Sequence, residues 1–223
     1  MLDEIIAGAT DDSTSTANLL RKVFVVSHRI KATEVQRWSE SELNGYNINE
    51  PTSLPAYRGP LPARARGTYA GPEGSSTTQS LSPQNVPEWF SQSFFQVSLH
   101  QPVAELDEAA GGSDDPVIPW PGEAIVQWNK WEADGTVPSI QFMNVVAAST
   151  LVTRMSIRGV IDIIRNNALR FALDLQQDYP DAGEPDGPTV SDSGVQRVIH
   201  PTPTTSTGTE RTSLLAVVTP SRP

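Results

Sequence analysis

The chain has 223 residues, 37% hydrophobic and 19% charged, which is enough for one good-sized core or two small ones. A formal net charge of -10 repels a polyphosphate backbone, so bulk nucleic-acid binding is not expected. Cysteine is absent and only three histidines occur, His28, His100 and His200; disulfides, thiolate nucleophiles and Cys-ligated zinc are excluded, and neither a metal nor a cofactor is expected.

The segment Met1 to Ile6 is acidic where a signal peptide would be basic. The longest uncharged middle run, Asn144 to Thr153, falls far below the roughly 18 apolar residues of a membrane span. A cytoplasmic protein with no membrane partner is the resulting expectation.

In chain order, a short helix is predicted over Leu2 to Ala9. Ser13 to Thr16 offers N-cap oxygens, and Leu19, Leu20, Val23, Phe24, Ser27 and Ile30 then recur at helical spacing. After a very short joint, Thr33 and Gln36 have capping-box spacing and Asn44-Gly45 supplies a left-handed stop, so the next helix is predicted over 33 to 44, packed on its predecessor as an antiparallel or angled pair. Ala63 to Tyr69 and Val97 to Val103 alternate with the period of half-buried strands and are expected to share a sheet. Gly71 to Gln84, rich in Gly and Ser, reads as a loop between them.

Pro116 to Pro121 reads as extended, and Pro121 suits the first turn of a helix carrying Ile125, Trp128 and either Trp131 or Glu132 on one face. A further strand is predicted over Ser139 to Ala147. Ile157, Val160, Ile161, Ile164, Ala168, Phe171, Ala172 and Leu175 form one stripe, which predicts a long helix from about Ser156 to Tyr179, with Arg158–Asp162 and Arg170–Asp174 spaced to pair across a turn. From Pro180 onward more than half the residues are Pro, Thr, Ser or Gly and none is aromatic, so 180–223 is predicted to be a disordered tail. Within it, Leu214 to Val218 could add as a strand to a partner's sheet edge. The fold class is therefore α+β: an N-terminal helical pair or bundle, a small, mostly antiparallel sheet, a long closing helix, and the tail after a domain of residues 1–179.

The candidate chemistry is sparse. Arg21 and His28 share a face of one predicted helix, with the spacing of helical RNases in which His is the acid/base and Arg steadies phosphate charge; a helix-packing histidine competes with that reading. Glu40 and Glu42 diverge around their helix. Glu105, Asp107 and Glu108 suit a helix start, and Asp114-Asp115 lacks calcium-loop spacing and is assigned to solvent. Arg64 and Arg66 would point to the same side of a strand, where such a pair can hold phosphate or carboxylate or simply protect an edge. Trp120, Trp128 and Trp131 suit core packing better than a ligand platform.

Leu19-Leu20-Arg21-Lys22, Ser27-His28-Arg29-Ile30, Trp38, Glu42-Leu43-Asn44-Gly45-Tyr46 and Leu54-Pro55-Ala56-Tyr57-Arg58 together resemble the AbiTii domain of bacterial abortive-infection proteins. Val97 to Leu106 resembles that family's strand ending in Ala-Glu-Leu, and Ile161 to Leu175 resembles its closing helix, so the likeness covers nearly all of residues 1–179. The resemblance implies an anti-phage role in which an infected cell stops growing or dies before phage matures, and it implies no established reaction. It marks Arg29, Trp38, Asn44, Gly45, Tyr46, Tyr57 and Arg58 as motif residues that either build a corner or bind. The expectation is a module that senses infection through a phage or host protein component, with homo-oligomer formation open. Two rivals stand beside it: a metal-independent, RNase-like toxin using Arg21, His28 and Glu42, and a structural assembly subunit.

Overall fold

The N-terminal apolar spacing folds into three helices, α1 (Leu2–Thr10), α2 (Thr16–Arg29) and α3 (Thr33–Asn44), in a computed structural model that describes residues 1–50, 54–184 and 186–189. Ser15 caps α2 by accepting from the Asn18 amide at 3.3 Å, as the Ser/Thr cluster suggested. The capping box expected at the start of α3 does not form. Ala32 is the N-cap and makes no side-chain cap bond, while Gln36 donates back to the Ser27 carbonyl of α2 at 2.9 Å. The joint is so short that Gln36 reaches the Ser27 carbonyl in the last turn of the preceding helix, which also accepts from the Ala32 amide at 2.9 Å. Gly45 ends α3 at φ 87°.

The middle holds β1 (Leu61–Pro62), β2 (Arg64–Ala70), β3 (Ser76–Leu81), α4 (Glu88–Phe94), β4 (Gln96–Val97), α5 (Val103–Gly111), β5 (Val117–Pro119), α6 (Gly122–Ala133) and β6 (Asn144–Leu151). Strands β3-β2-β6-β5 form an antiparallel sheet in that order, and β1 with β4 forms a two-residue ladder beside it. Three expectations are corrected here. The segment predicted to run extended from Val97 to Val103 pairs only through Gln96 and Val97 with Leu61 and Pro62, because Pro102 removes a ladder donor and becomes the N-cap of α5. Ala104-Glu105-Leu106 is therefore helical, with Val103, Leu106 and Ala110 buried on one face. Gly71 to Gln84 is no loop: Ser76–Leu81 pairs with β2 from Ala65↔Leu81 to Ala70↔Ser76. The last predicted strand sits later than expected, at Asn144–Leu151, where Ala148 and Thr150 face inward.

The closing helix α7 (Arg154–Asp178) is capped by Thr153, whose hydroxyl accepts from the Ser156 amide at 3.2 Å. Among the described residues neither predicted pair on it closes to an ion pair; Arg158 donates instead to the Ala110 carbonyl. Arg165 donates to the carbonyls of Gly8, Ala9, Asp11 and Thr14 at 2.7–3.3 Å. It thereby places a cation at the negative end of α1 and satisfies carbonyls that have no helical partner.

Apolar burial falls into three connected clusters. Ile5, Leu19, Val23, Val26, Ala168 and Leu175 join α1, α2 and α7. Phe90, Phe95, Trp120, Trp128 and Trp131 pack beneath Ala65, Tyr69 and Val145 of the sheet, so all three named tryptophans are core. Leu20, Leu99, Val103, Leu106, Ile157 and Ile164 tie α2, α5 and α7 together. Beyond Tyr179 the chain keeps contact with the helices: Ala182 is buried, Arg29 donates to the Gly183 carbonyl, and the Met1 amine lies 3.2 Å from the Glu184 carboxylate. Leu214 to Val218 lies outside the described residues. Among those described, no helix is long and apolar enough to cross a membrane.

Candidate functional site

The motif residues at the α3 corner converge on one buried carboxylate. Val35, Trp38, Ser39 and Glu42 recur at three- and four-residue spacing on α3, so Glu42 is carried on the inward face. Both Glu42 and Arg58 are 0% exposed. Arg58 is held in a single 3-10 turn, Ala56–Arg58.

Arg58 donates Nε to Glu42 Oε2 at 3.0 Å and pairs through Nη2 with the same oxygen. Its Nη1 donates to the carbonyls of Leu99 at 2.9 Å and Gln101 at 2.7 Å. Tyr46 and Tyr57 donate their phenols to Glu42 Oε1 at 2.7 and 2.6 Å, and Trp38 Nε1 donates to the Tyr57 oxygen at 2.8 Å. The Arg58 guanidinium also stands 5.0 Å from the centre of the Tyr46 ring, within cation–π reach.

The backbone locks the same corner. Tyr46 N–H donates to the His100 carbonyl at 2.8 Å, and Leu99 N–H to the Arg58 carbonyl at 2.8 Å. A Cβ on Gly45 would meet His100 O at 2.8 Å, and Gly59 at φ 144° has Ser98 Cα 2.7 Å from where its Cβ would be. Both glycines are therefore required by close approach as well as by positive φ.

The arrangement decides what Glu42 can do. A carboxylate offers about four acceptor sites, and four donors fill them. Burial first, then the charge of Glu42 and the hydrogen bonds to it, push both phenols above the ordinary tyrosine range, so they stay neutral donors. The group is a saturated strut with no acceptor left for a substrate proton.

Above it, Glu34, Val35, Trp38, Pro55, Tyr57, Asn167 and Phe171 line a groove of about 430 Å³ between α3 and α7. Its aromatic floor is fixed by the network, because the Trp38 indole and the Tyr57 phenol are both tied to it.

The remaining predicted residues lie elsewhere. Arg21 is exposed and donates to Asn18 at 2.6 Å. His28 is exposed and stands edge-on to Phe24 at 4.7 Å. Glu42 is sealed in the interior while both of these residues are exposed, so the structure does not bring the three side chains together. Arg29 ties the segment after Tyr179 to α2, and Asn44 is exposed at the last position of α3. Arg64 and Arg66 are exposed on one face of β2, opposite buried Ala65 and Gly67.

Two capping carboxylates went unread in the sequence. Asp107 accepts from the Thr16 amide and hydroxyl at 3.2 and 3.1 Å. Asp115, assigned to solvent above, accepts from the Arg154 amide at 2.9 Å. A second buried acid, Glu132, accepts from Tyr69 at 2.7 Å and Trp128 at 2.9 Å. Among the described residues no three His, Asp or Glu side chains gather to hold a metal ion.

The family model for AbiTii matches residues 1–199. No curated protein and no solved structure matches the chain.

Proposed function

The chain belongs to the AbiTii family, whose name points to abortive-infection defence against phage, and from that premise we propose that it acts as a binding module that senses infection. The groove over Trp38, Tyr57 and Phe171 takes an apolar or aromatic segment of a phage or host protein in the cytoplasm. One observation carries this reading: the Glu42 network has no free acceptor and ends in two anchored aromatic rings that floor an open groove. Rigid aromatic side chains in a pocket supply contact area at low conformational cost, which is how small hot spots bind. Arg58, being wholly buried, supports the groove and does not touch the partner. The RNase-like alternative needs Arg21, His28 and Glu42 to act on one scissile phosphate, and their separate environments disfavour it.

The test is phage plating on bacteria carrying the wild-type gene, Asn167→Arg, or the double variant Arg21→Ala/His28→Ala. Asn167 is half-buried at the groove, so an arginine there blocks the groove without emptying the core. The proposal expects protection to survive the double variant and to be lost with Asn167→Arg at unchanged melting temperature. Loss with Arg21→Ala/His28→Ala and retention with Asn167→Arg would overturn it in favour of the enzyme.

A further inference from the structure

A second cavity, of about 420 Å³, lies between the N-terminus of α7 and the start of β2, lined by Arg64, Asp115, Thr153, Arg154, Met155 and Arg158. We propose that it is a site for a dianionic phosphate group, free or as the monoester of a small molecule, held by Arg64, Arg154 and Arg158. The volume lies within the range of small-ligand sites.

The charge count comes first. Three guanidiniums face one carboxylate, Asp115, in a chain whose formal net charge is -10. The positive end of α7 adds partial charge to the site. The negative end of α5 removes a similar amount, because Arg154 and Arg158 donate to the carbonyls of Gly112 and Ala110 there. What remains is an excess of about two positive charges, which matches a phosphomonoester near neutral pH, at about -1.5 to -2.

The donors are positioned and unspent. Each carbonyl bond uses one nitrogen of Arg154 or Arg158 and fixes the orientation of the rest of that guanidinium, the preorganisation that oxyanion recognition uses. Among the described residues Arg154 Nε is buried without a hydrogen-bond partner; Asp115 Oδ1 stands 3.6 Å from it, beyond hydrogen-bond reach. Arg64 arrives from the sheet and its side chain makes no bond among the described residues.

The neighbouring cavity of about 690 Å³ makes the contrast. It shares Arg158, but there Arg158 and Arg165 face Asp12, Asp107 and Asp162, and Arg165 is already committed to four carbonyls. The formal charges there sum to one negative, whereas those lining the smaller cavity sum to two positive.

Titration calorimetry and melting curves on the full chain, with inorganic phosphate, adenosine 5′-monophosphate and adenosine as probes, test the proposal. Phosphate and the monophosphate should bind and raise the melting temperature, and adenosine should not. Tighter binding of the monophosphate identifies a monoester as the ligand form, and equal binding identifies the free ion. Arg64→Gln and Arg158→Gln should each weaken binding about tenfold or more, while Arg170→Gln, exposed further along α7, should not. Arg158→Gln also removes a bond to α5, so if it melts early Arg64→Gln alone decides. Absence of binding by both phosphate probes at millimolar concentration, or affinity unchanged in Arg64→Gln, would overturn the proposal.

Discussion

Replacing Arg58 with methionine keeps the side chain's bulk and strips Glu42 of its only cationic partner among the described residues. Glu42 would remain 0% exposed, with two phenols still donating to Oε1 and nothing on Oε2. Breaking a buried pair by removing one member costs about 3–5 kcal/mol, and the Leu99 carbonyl, which loses Nη1, adds about 1 kcal/mol. Against a total stability of about 5–15 kcal/mol, that is a large fraction, and at about 2–4 °C per kcal/mol for a domain of this size the melting temperature should fall by about 10–20 °C. The assay is thermal and urea unfolding of wild type, Arg58→Met, Glu42→Gln and the double variant. Because each single change strands the other partner, the double variant should be less damaged than the sum of the singles by about 2 kcal/mol or more. Singles that add to within about 0.5 kcal/mol, or an Arg58→Met cost below about 1 kcal/mol, would refute the picture of one coupled network.

Further outcomes follow from the same geometry. Tyr46 and Tyr57 are held neutral by burial and by Glu42, so above about pH 10 the unfolded chain loses phenolic protons that the folded one keeps. The unfolded state then binds fewer protons and stability falls as pH rises, by at most about 1.4 kcal/mol per pH unit per tyrosine and less where water screens the ring; urea midpoints from pH 8 to 11 should show the slope, and Tyr46→Phe/Tyr57→Phe should reduce it to the part contributed by Tyr69, whose phenol is raised by burial and by Glu132. Gly45→Ala drives a Cβ to 2.8 Å from His100 O at φ 87° and should cost about 1–3 kcal/mol. Gly159→Ala, with nothing within 4 Å of its Cβ inside α7, should stabilise by about 0.5–1 kcal/mol; a reversed order of these two melting temperatures would contradict the packing described. Arg165→Met should cost about 2–3 kcal/mol and show first as faster amide exchange in α1, whose end it holds.

The helices were legible because their signals are local. Ser15 is a cap from the Ser/Thr run, Gly45 is a left-handed stop, and the α7 stripe repeats over its whole length, while the Thr153 cap, which starts α7 at Arg154, is seen only in the structure. What escaped was decided by neighbours. β3 reads Ser-Thr-Thr-Gln-Ser-Leu and buries only Leu81; it is a strand because β2 supplies its ladder, and a polar segment on an open face carries little alternation to read. α4 is seven residues long and is recognisable only once Phe90 is seen inside the aromatic core. Val97 to Val103 was misread because alternation outweighed Pro102, whose missing N–H suits the start of a helix better than a central ladder.

The site was legible in its parts and not as a whole. Glu42 falls at helical spacing from Val35, Trp38 and Ser39, which is an inward-face signal available in the sequence. Its pairing with Arg58, sixteen residues on, is not, since an Arg after Ala-Tyr carries no mark of complete burial. Arg64 was paired in the sequence with Arg66 by strand parity, whereas the fold gathers it with Arg154 and Arg158, some ninety residues away. The pairing of β2 with β6, which sets Arg64 opposite Leu151 just before α7, makes that grouping.

The central claim is that this AbiTii chain defends a bacterial population by responding to infection. The most direct measurement is culture survival at low and at high phage dose, with plating efficiency, in cells carrying the wild-type gene or an empty vector. The account predicts protection at low dose and collapse at high dose. Equal plaquing and equal survival with and without the gene across a broad phage panel would contradict it.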